Sequence, residues 1–171
     1  FYGNKFFSNK KLKSIIKTKE SKFYRLFGSS VFSEENIVLD KNLLMKFYNR
    51  RGFVDFKVLS YKRELLPDYS GYNINIILNE GNPFVINDVL IENKLSNANK
   101  EDLLNFVFLK KGDVIDERAI AESKKNLNNF FEKDGYTFVK IKHEIINKDN
   151  KESKLDLKIS ISEAMKSFVR R

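Results

Sequence analysis

Shifted by 83 positions, the chain superimposes on itself. Gly52-Phe53 falls on Gly135-Tyr136, and Phe47-Tyr48 falls on Phe130-Phe131. Ile37 meets Ile120 and Leu44 meets Leu127. Ile74, Ile76 and Leu78 meet Leu157, Ile159 and Ile161, and Glu80 meets Glu163. A repeat of this length is too long for a solenoid, so it reads as two copies of one small domain. The 171 residues are enough for two such copies.

Each copy has the same order of elements. In the second, residues 85–93 form an opening strand with apolar Ile86, Val89 and Ile91. The broken alternation between Ile86 and Val89 predicts a bulge. The first copy keeps only the tail of this strand, Phe1-Tyr2-Gly3-Asn4. A first helix follows. Ser8 is a good N-cap, and Leu12, Ile15 and Ile16 share one face. Phe7 and Leu12 hold the positions of a hydrophobic staple. In the second copy Asn99 takes the cap position, ahead of Leu103, Phe106 and Val107. A second helix starts at Ser33 or Asp116, with Phe47 and Phe130 expected at the centre of the buried face. Gly52 and Gly135 end it, where a left-handed residue without Cβ is favoured. A hairpin closes each copy. Its turns are expected at Pro67-Asp68-Tyr69-Ser70-Gly71 and at Asn147-Lys148-Asp149-Asn150, and the second copy's strands at residues 137–145 and 155–162.

The expected fold is α+β: two tandem β-α-α-β-β domains, each a three-stranded mixed sheet covered on one face by two antiparallel helices. Residues 1–82 form the first domain, with a truncated or partial first strand. Residues 83–166 form the second, and residues 167–171 read as the start of a following strand. The chain begins inside structured-looking sequence without Met, and reads as a piece of something longer.

The copies differ between their helices, where the first carries 8 extra residues: the offset falls from 91 for the first helix to 83 for the second. This insertion holds Phe23, Tyr24, Arg25 and Phe27. Such aromatics either tuck under the loop as a satellite core or face a partner.

Much chemistry is excluded by composition. With no Cys there are no disulfides, thiolate metal sites or Cys nucleophiles. His143 is the single histidine, too few for a multi-histidine metal site. Ser14-Ile15-Ile16-Lys17 spells S-x-x-K, but no S-D-N or K-T-G follows, and helix amphipathicity explains the two isoleucines. No cofactor, metal or catalytic residue is expected. The longest apolar run is Phe106-Val107-Phe108-Leu109, far short of a spanning helix. The net charge is +9, and it is uneven: residues 1–83 hold 15 Lys/Arg against 8 Asp/Glu, whereas the remainder hold 17 against 15. Lys10, Lys11, Lys13, Lys17, Lys41, Lys46, Arg50 and Arg51 could line a basic helical face, so a nucleic-acid-binding α+β domain is one alternative. No recognition motif accompanies that charge.

The punctuation resembles polypeptide-transport-associated (POTRA) domains. The residues that carry the resemblance are Gly3-Asn4-Lys5-x-Phe7-Ser8, Phe47-Tyr48-x-x-x-Gly52-Phe53 and Asn79-Glu80-Gly81, with Phe84 leading into the next unit. The second copy answers with Glu92-Asn93-Lys94, Phe130-Phe131-x-x-x-Gly135-Tyr136 and Ser162-Glu163. It departs from the family at Glu92 and Ala164, where glycine is usual. Arg51-Gly52-Phe53-Val54-Asp55-Phe56-Lys57-Val58 and the aromatic loop look most like the third domain in a factor that assembles outer-membrane β-barrels, and the second copy then like the fourth. The resemblance implies a non-enzymatic periplasmic scaffold. Its partners would be unfolded outer-membrane proteins, accessory lipoproteins and the chain's own C-terminal membrane barrel, with no nucleic acid. A two-partner secretion or other outer-membrane transporter is the alternative. With that resemblance, an edge strand over residues 54–62 is the expected docking site, by backbone pairing with an extended client. Its residues are Val54, Asp55, Phe56, Lys57, Val58, Leu59, Ser60, Tyr61 and Lys62. Phe23, Tyr24, Arg25 and Phe27 are a second docking candidate.

Overall fold

Strand alternation and glycine stops lay down the same framework twice in the computed structural model, which describes residues 1–19, 34–69, 72–95, 98–136 and 138–163. Contacts divide the chain between Asn82 and Pro83. The first unit contains α1 (Asn9–Ile15), α2 (Glu34–Asn49), β1 (Lys57–Leu65) and β2 (Tyr72–Asn79). The second contains β3 (Val85–Asn93), α3 (Lys100–Leu104), α4 (Glu117–Lys133), β4 (Val139–Asp149) and β5 (Lys154–Glu163). Ser33 and the aromatic residues Phe23, Tyr24 and Phe27, with Arg25, lie outside the described residues, as does the stretch 167–171.

In the second unit β5 is the central strand, parallel to β3 and antiparallel to β4. Leu155, Leu157, Ile159 and Ile161 alternate along it and are buried on the helix-bearing face. The expected bulge in β3 is present, with the register shifting between Ile86 and Asp88. The first unit has the same plan, and its opening segment meets the sheet at Tyr2. Tyr2 makes a parallel bridge to Ile77. Its N–H donates to the Ile76 carbonyl at 2.9 Å, and its carbonyl accepts from the Leu78 N–H at 2.8 Å. Gly3 then leaves the sheet with φ +86°, and a Cβ there would stand 2.2 Å from the Leu78 carbonyl oxygen. The chain turns away at the one residue type that fits.

The helix ends follow their side chains. The Ser8 hydroxyl accepts from the Lys11 N–H, and Asp116 accepts from the Arg118 N–H at 2.8 Å. Asn99 occupies its cap position without a side-chain cap bond, and α3 stops after five residues. Gly52 and Gly135 take φ +86° and +91° as their helix-stop role requires.

Two expectations need correcting. The central helix aromatics are not Phe47 and Phe130 but their neighbours Tyr48 and Phe131, both fully buried. Phe47 is buried nearer the edge of the core, and Phe130 is only half-buried. A 3.6-residue period does not separate adjacent positions at the margin of an apolar stripe. The second correction is the last hairpin. β4 runs four residues beyond Ile145, to Asp149, and the turn lies at residues 150–153. Asn147 is a bulge residue with φ +47°, not a turn residue. Asparagine tolerates that conformation, and its side-chain amide donates to Asp156 Oδ2 at 3.0 Å.

Candidate functional site

The edge of the first unit is β1, which among the described residues pairs only with β2. The strand is displaced from the expected 54–62. Val54 and Asp55 lie in the turn that follows α2, and Phe56 precedes the strand as a core residue. The Phe56 ring stacks on Tyr48 with centroids 3.9 Å apart. The Asp55 Cβ lies 3.0 Å from where a Cβ on Gly81 would stand, so this turn is packed against the end of β2. Lys57, Val58, Leu59, Ser60, Tyr61 and Lys62 are in the strand, which continues through Arg63 and Glu64 to Leu65.

A bulge divides that edge. Val58 pairs with Leu78 and Ser60 with Ile77, so Leu59 is the extra residue. From Ser60 to Leu65 the ladder is regular. Val58 and Tyr61 pack against the core, on the face that carries α2. The bulge explains their three-residue spacing, which strict alternation forbids.

The core beneath the edge is tied down by two acidic side chains. Asp40, in α2, is completely buried. Its Oδ1 accepts from the Lys17 and Thr18 amides at 2.7 and 3.3 Å, and its Oδ2 from the Tyr61 hydroxyl at 3.2 Å. One side chain thus joins the exit of α1, the middle of α2 and the edge strand. Burial, partly opposed by a hydrogen bond to Thr18 and reinforced by Asp40, raises the Tyr61 pKa. Glu80, at the end of β2, is also buried. It accepts from the Lys5 and Phe6 amides and, at 2.7 Å, from the Tyr48 hydroxyl. Burial chiefly, and then Glu80, push the Tyr48 pKa far up, so the phenol stays protonated as a donor.

This geometry offers backbone hydrogen-bonding groups on a rigidly supported strand. No group of His, Cys, Asp or Glu among the described residues is arranged to hold a metal ion. The POTRA family profile, described as the surface antigen variable number repeat, matches residues 1–81 and again residues 84–164.

The chain belongs to the POTRA family.

Over 142 residues, 82% of this chain, it is 28% identical to the outer membrane protein assembly factor BamA of Neorickettsia risticii, covering 19% of that protein. It is 25% identical to BamA of Neisseria meningitidis over the same length, covering 18% of it. The chain therefore spans about a fifth of the length of these relatives. Its fold matches the crystal structure of Haemophilus influenzae BamA POTRA domains 3–5 with a TM-score of 0.72 at 18% identity, covering 95% of this chain and 63% of that one. No helix among the described residues is long and apolar enough to cross a membrane.

The strand registers correct the POTRA alignment by one residue. Tyr2 pairs with Ile77, and Glu92 pairs with Ser160, 83 positions after Ile77. Tyr2 is therefore the counterpart of Glu92, and Gly3 that of Asn93. Strand pairing, unlike motif matching, counts residues through the bulges.

The helix-free faces of the two POTRA units are unlike. In the first, the row across the strands is Tyr2, Ile77 and the bulge pair Leu59 and Ser60. Tyr2 is 61% exposed, Ile77 38% and Leu59 60%. In the second, the same row is Glu92, Ser160 and Lys142. Around it Glu92 pairs with Lys158 at 2.7 Å and with Lys94 at 3.2 Å. Nearby, Asn87 and Asn147, both at bulges, donate to the two oxygens of Asp156, and these bonds hold its carboxyl below the usual range.

Sequence reasoning missed Tyr2 and Ile77, and it took Leu59 for an ordinary edge residue. The signal was present: Ile77 breaks the run of asparagines at 73, 75 and 79 on the outward positions of β2. Asp40 was missed too, although it stands on the apolar stripe four residues before Leu44, and its 83-shift partner is Ser123.

Proposed function

We propose that this POTRA pair is part of the periplasmic scaffold of an outer-membrane protein assembly factor, acting without catalysis. Its edge strand β1 takes extended segments of unfolded barrel precursors by strand addition, and the same domains dock accessory lipoproteins of the machine. In this reading the units are the third and fourth of their series, and a membrane barrel follows them in the full protein. The single observation that carries the proposal is the β1 edge: nine residues, paired on one side among the described residues, in a chain similar to proteins named BamA. Backbone pairing tolerates client sequences that differ widely, which is what an assembly factor requires.

The test uses the regular part of the ladder, away from the bulge. Adjacent strand residues point their N–H groups to opposite sides. Of Lys62→Pro and Arg63→Pro, one removes a donor toward β2 and the other a donor toward the open side. The variant that keeps the fold should lose binding of an extended barrel-derived peptide, while Lys62→Ala and Arg63→Ala keep it. Amide shifts on titration should map to residues 57–65. If the folded proline variant binds as the parent does, and the shifts map elsewhere, the edge is not the site.

A further inference from the structure

Two cations of the first unit meet on one aromatic ring. The Arg51 guanidinium, in the turn after α2, lies 3.9 Å from the centroid of Phe47, and its Nη1 donates to the Phe47 carbonyl at 2.9 Å. Phe7, edge-on to Phe47, is 6.0 Å from the same guanidinium. From α1 the Lys11 ammonium reaches Phe47 as well, 5.8 Å from its centroid, and Lys10 stands beside it in the sequence. All three basic side chains are exposed, and among the described residues no carboxylate pairs with any of them. Like charges gathered without an acid repel, and an exposed cation–π contact offsets only about 0.5–1 kcal/mol. The ring and the carbonyl also fix the guanidinium, so it has little freedom left to lose when its remaining N–H groups bind an anion.

The second unit reverses these charges. At the shift of 83 Arg51 falls on Asp134, and at the first helix's shift of 91 Lys10 and Lys11 fall on Glu101 and Asp102. Those two acids lie in the first turn of α3, whereas the first turn of α1 has none. The shared fold therefore requires neither sign at these positions, and the positive charge of the first unit is free to serve a contact. We infer that Lys10, Lys11 and Arg51 form a docking site for an acidic segment of a partner protein. The fork of Arg51 takes a carboxylate through two N–H groups, and the lysines take its neighbours. Phe6 gives the site an apolar border: it is 52% exposed and edge-on to Phe53, whose ring also meets Phe7. A fixed arginine beside aromatic rings is the combination that carries binding energy at protein interfaces. The site uses side chains on α1 and after α2, not the backbone of the β1 edge, so the inference does not rest on strand addition.

The test titrates the whole 171-residue chain with a capped peptide of alternating glutamate and glycine, and with the same peptide carrying glutamine for glutamate. The glutamate peptide should bind and shift the amides around Phe7, Lys11, Phe47 and Arg51, leaving those around Asp102 and Asp134 unmoved. The glutamine peptide should shift neither group. Arg51→Gln and Lys11→Gln should each weaken binding about tenfold. Arg51→Lys should weaken it nearly as much, because an ammonium keeps the charge but not the planar fork. Lys125→Gln removes the same charge from an exposed position on α4, and should change binding less than about twofold. Should Arg51→Gln disturb the fold, Lys11→Gln carries the test, since its side chain is exposed on α1. A loss at Lys125→Gln equal to that at Arg51→Gln and Lys11→Gln would mean attraction by net charge, and would overturn the inference. Binding to phosphatidylglycerol vesicles with none to the glutamate peptide would make the surface a lipid contact, and would overturn it too.

Discussion

At the centre of the first unit stands Tyr48, and at the same place in the second stands Phe131. The hydroxyl that separates them has a dedicated acceptor: Glu80 is buried beside Tyr48, whereas its counterpart Glu163 is exposed. The same contrast recurs one turn away. Asp40 and Ser123 are counterparts, both buried, and both accept from an amide in the segment that follows the first helix of their unit. Asp40 takes the Lys17 N–H at 2.7 Å, and the Ser123 hydroxyl takes the Phe108 N–H at 2.9 Å. Ser123 meets its remaining need within its own helix, donating to the Ala119 carbonyl at 2.6 Å. Asp40 instead reaches the edge strand through Tyr61. One fold thus has two interiors. In the first unit buried carboxyl groups tie the opening segment and the edge strand to the helices. In the second unit a hydroxyl alone stands at the position of Asp40. A buried polar group is tolerable when its bonds are made, and costly when one partner is removed.

The largest effects should come from truncating the two central aromatics. Tyr48→Ala and Phe131→Ala should each cost about 3–5 kcal/mol in denaturant unfolding followed unit by unit with amide signals. Phe130→Ala should cost clearly less. An equal loss at Phe130 and Phe131 would mean that α4 is turned so that both rings face the core alike.

The polar ties come next and should separate the units. Asp40→Ala strands two amides and a tyrosine hydroxyl, so a loss of about 3 kcal/mol is expected, whereas Ser123→Ala should cost about 1 kcal/mol. Asp40→Asn keeps an acceptor for the amides and should fall between the parent and Asp40→Ala. Equal losses at positions 40 and 123 would erase the proposed difference between the interiors.

A smaller loss is expected at the bridge. Gly3→Ala forces a Cβ toward the Leu78 carbonyl in a left-handed backbone, and should cost about 1–3 kcal/mol. Hydrogen exchange at the Leu78 amide should speed up. Asn93→Ala, at the counterpart that ends β3, removes the acceptor of the Leu95 N–H but should leave exchange along β5 unchanged.

The smallest effect is one of pH, and it belongs to the second unit alone, which holds the single histidine. His143 pairs with Ile159 at the β4 edge and faces Lys124 and Glu117 of α4. Partial desolvation of this exposed side chain, then the Lys124 charge, lower its pKa from 6.5, with Glu117 opposing. The unfolded chain therefore binds the proton more readily. His143 favours the fold above about pH 6.5, and that contribution is lost as pH falls through the lowered folded value. Stability of the second unit should decline on mild acidification below about pH 6.5, and His143→Gln should flatten that decline while leaving the first unit as it was.

Periodicity and punctuation made most of the fold legible. The 83-residue repeat, the Ser8 and Asp116 caps, the glycine stops at 52 and 135 and the β3 bulge all depend on residues near in sequence, and a local rule governs each. The candidate site was legible only in outline. An edge strand near residue 58 follows from strand order, but its bounds moved to Lys57–Leu65 because Phe56 is claimed by the ring of Tyr48. Local alternation cannot see that competition.

The amino-acid order by itself determined which elements form and that they form twice, since amphipathic period, capping and turn chemistry act within a few residues. Tertiary structure alone decided which of two adjacent aromatics is central, that Asp40 and Glu80 are buried, and that Tyr2, Ile77 and Leu59 fall in one row. Those outcomes depend on strand register and bulges, which bring together residues up to 75 positions apart in the sequence. No local preference encodes a partner at that distance; only the paired backbone fixes which side chains become neighbours.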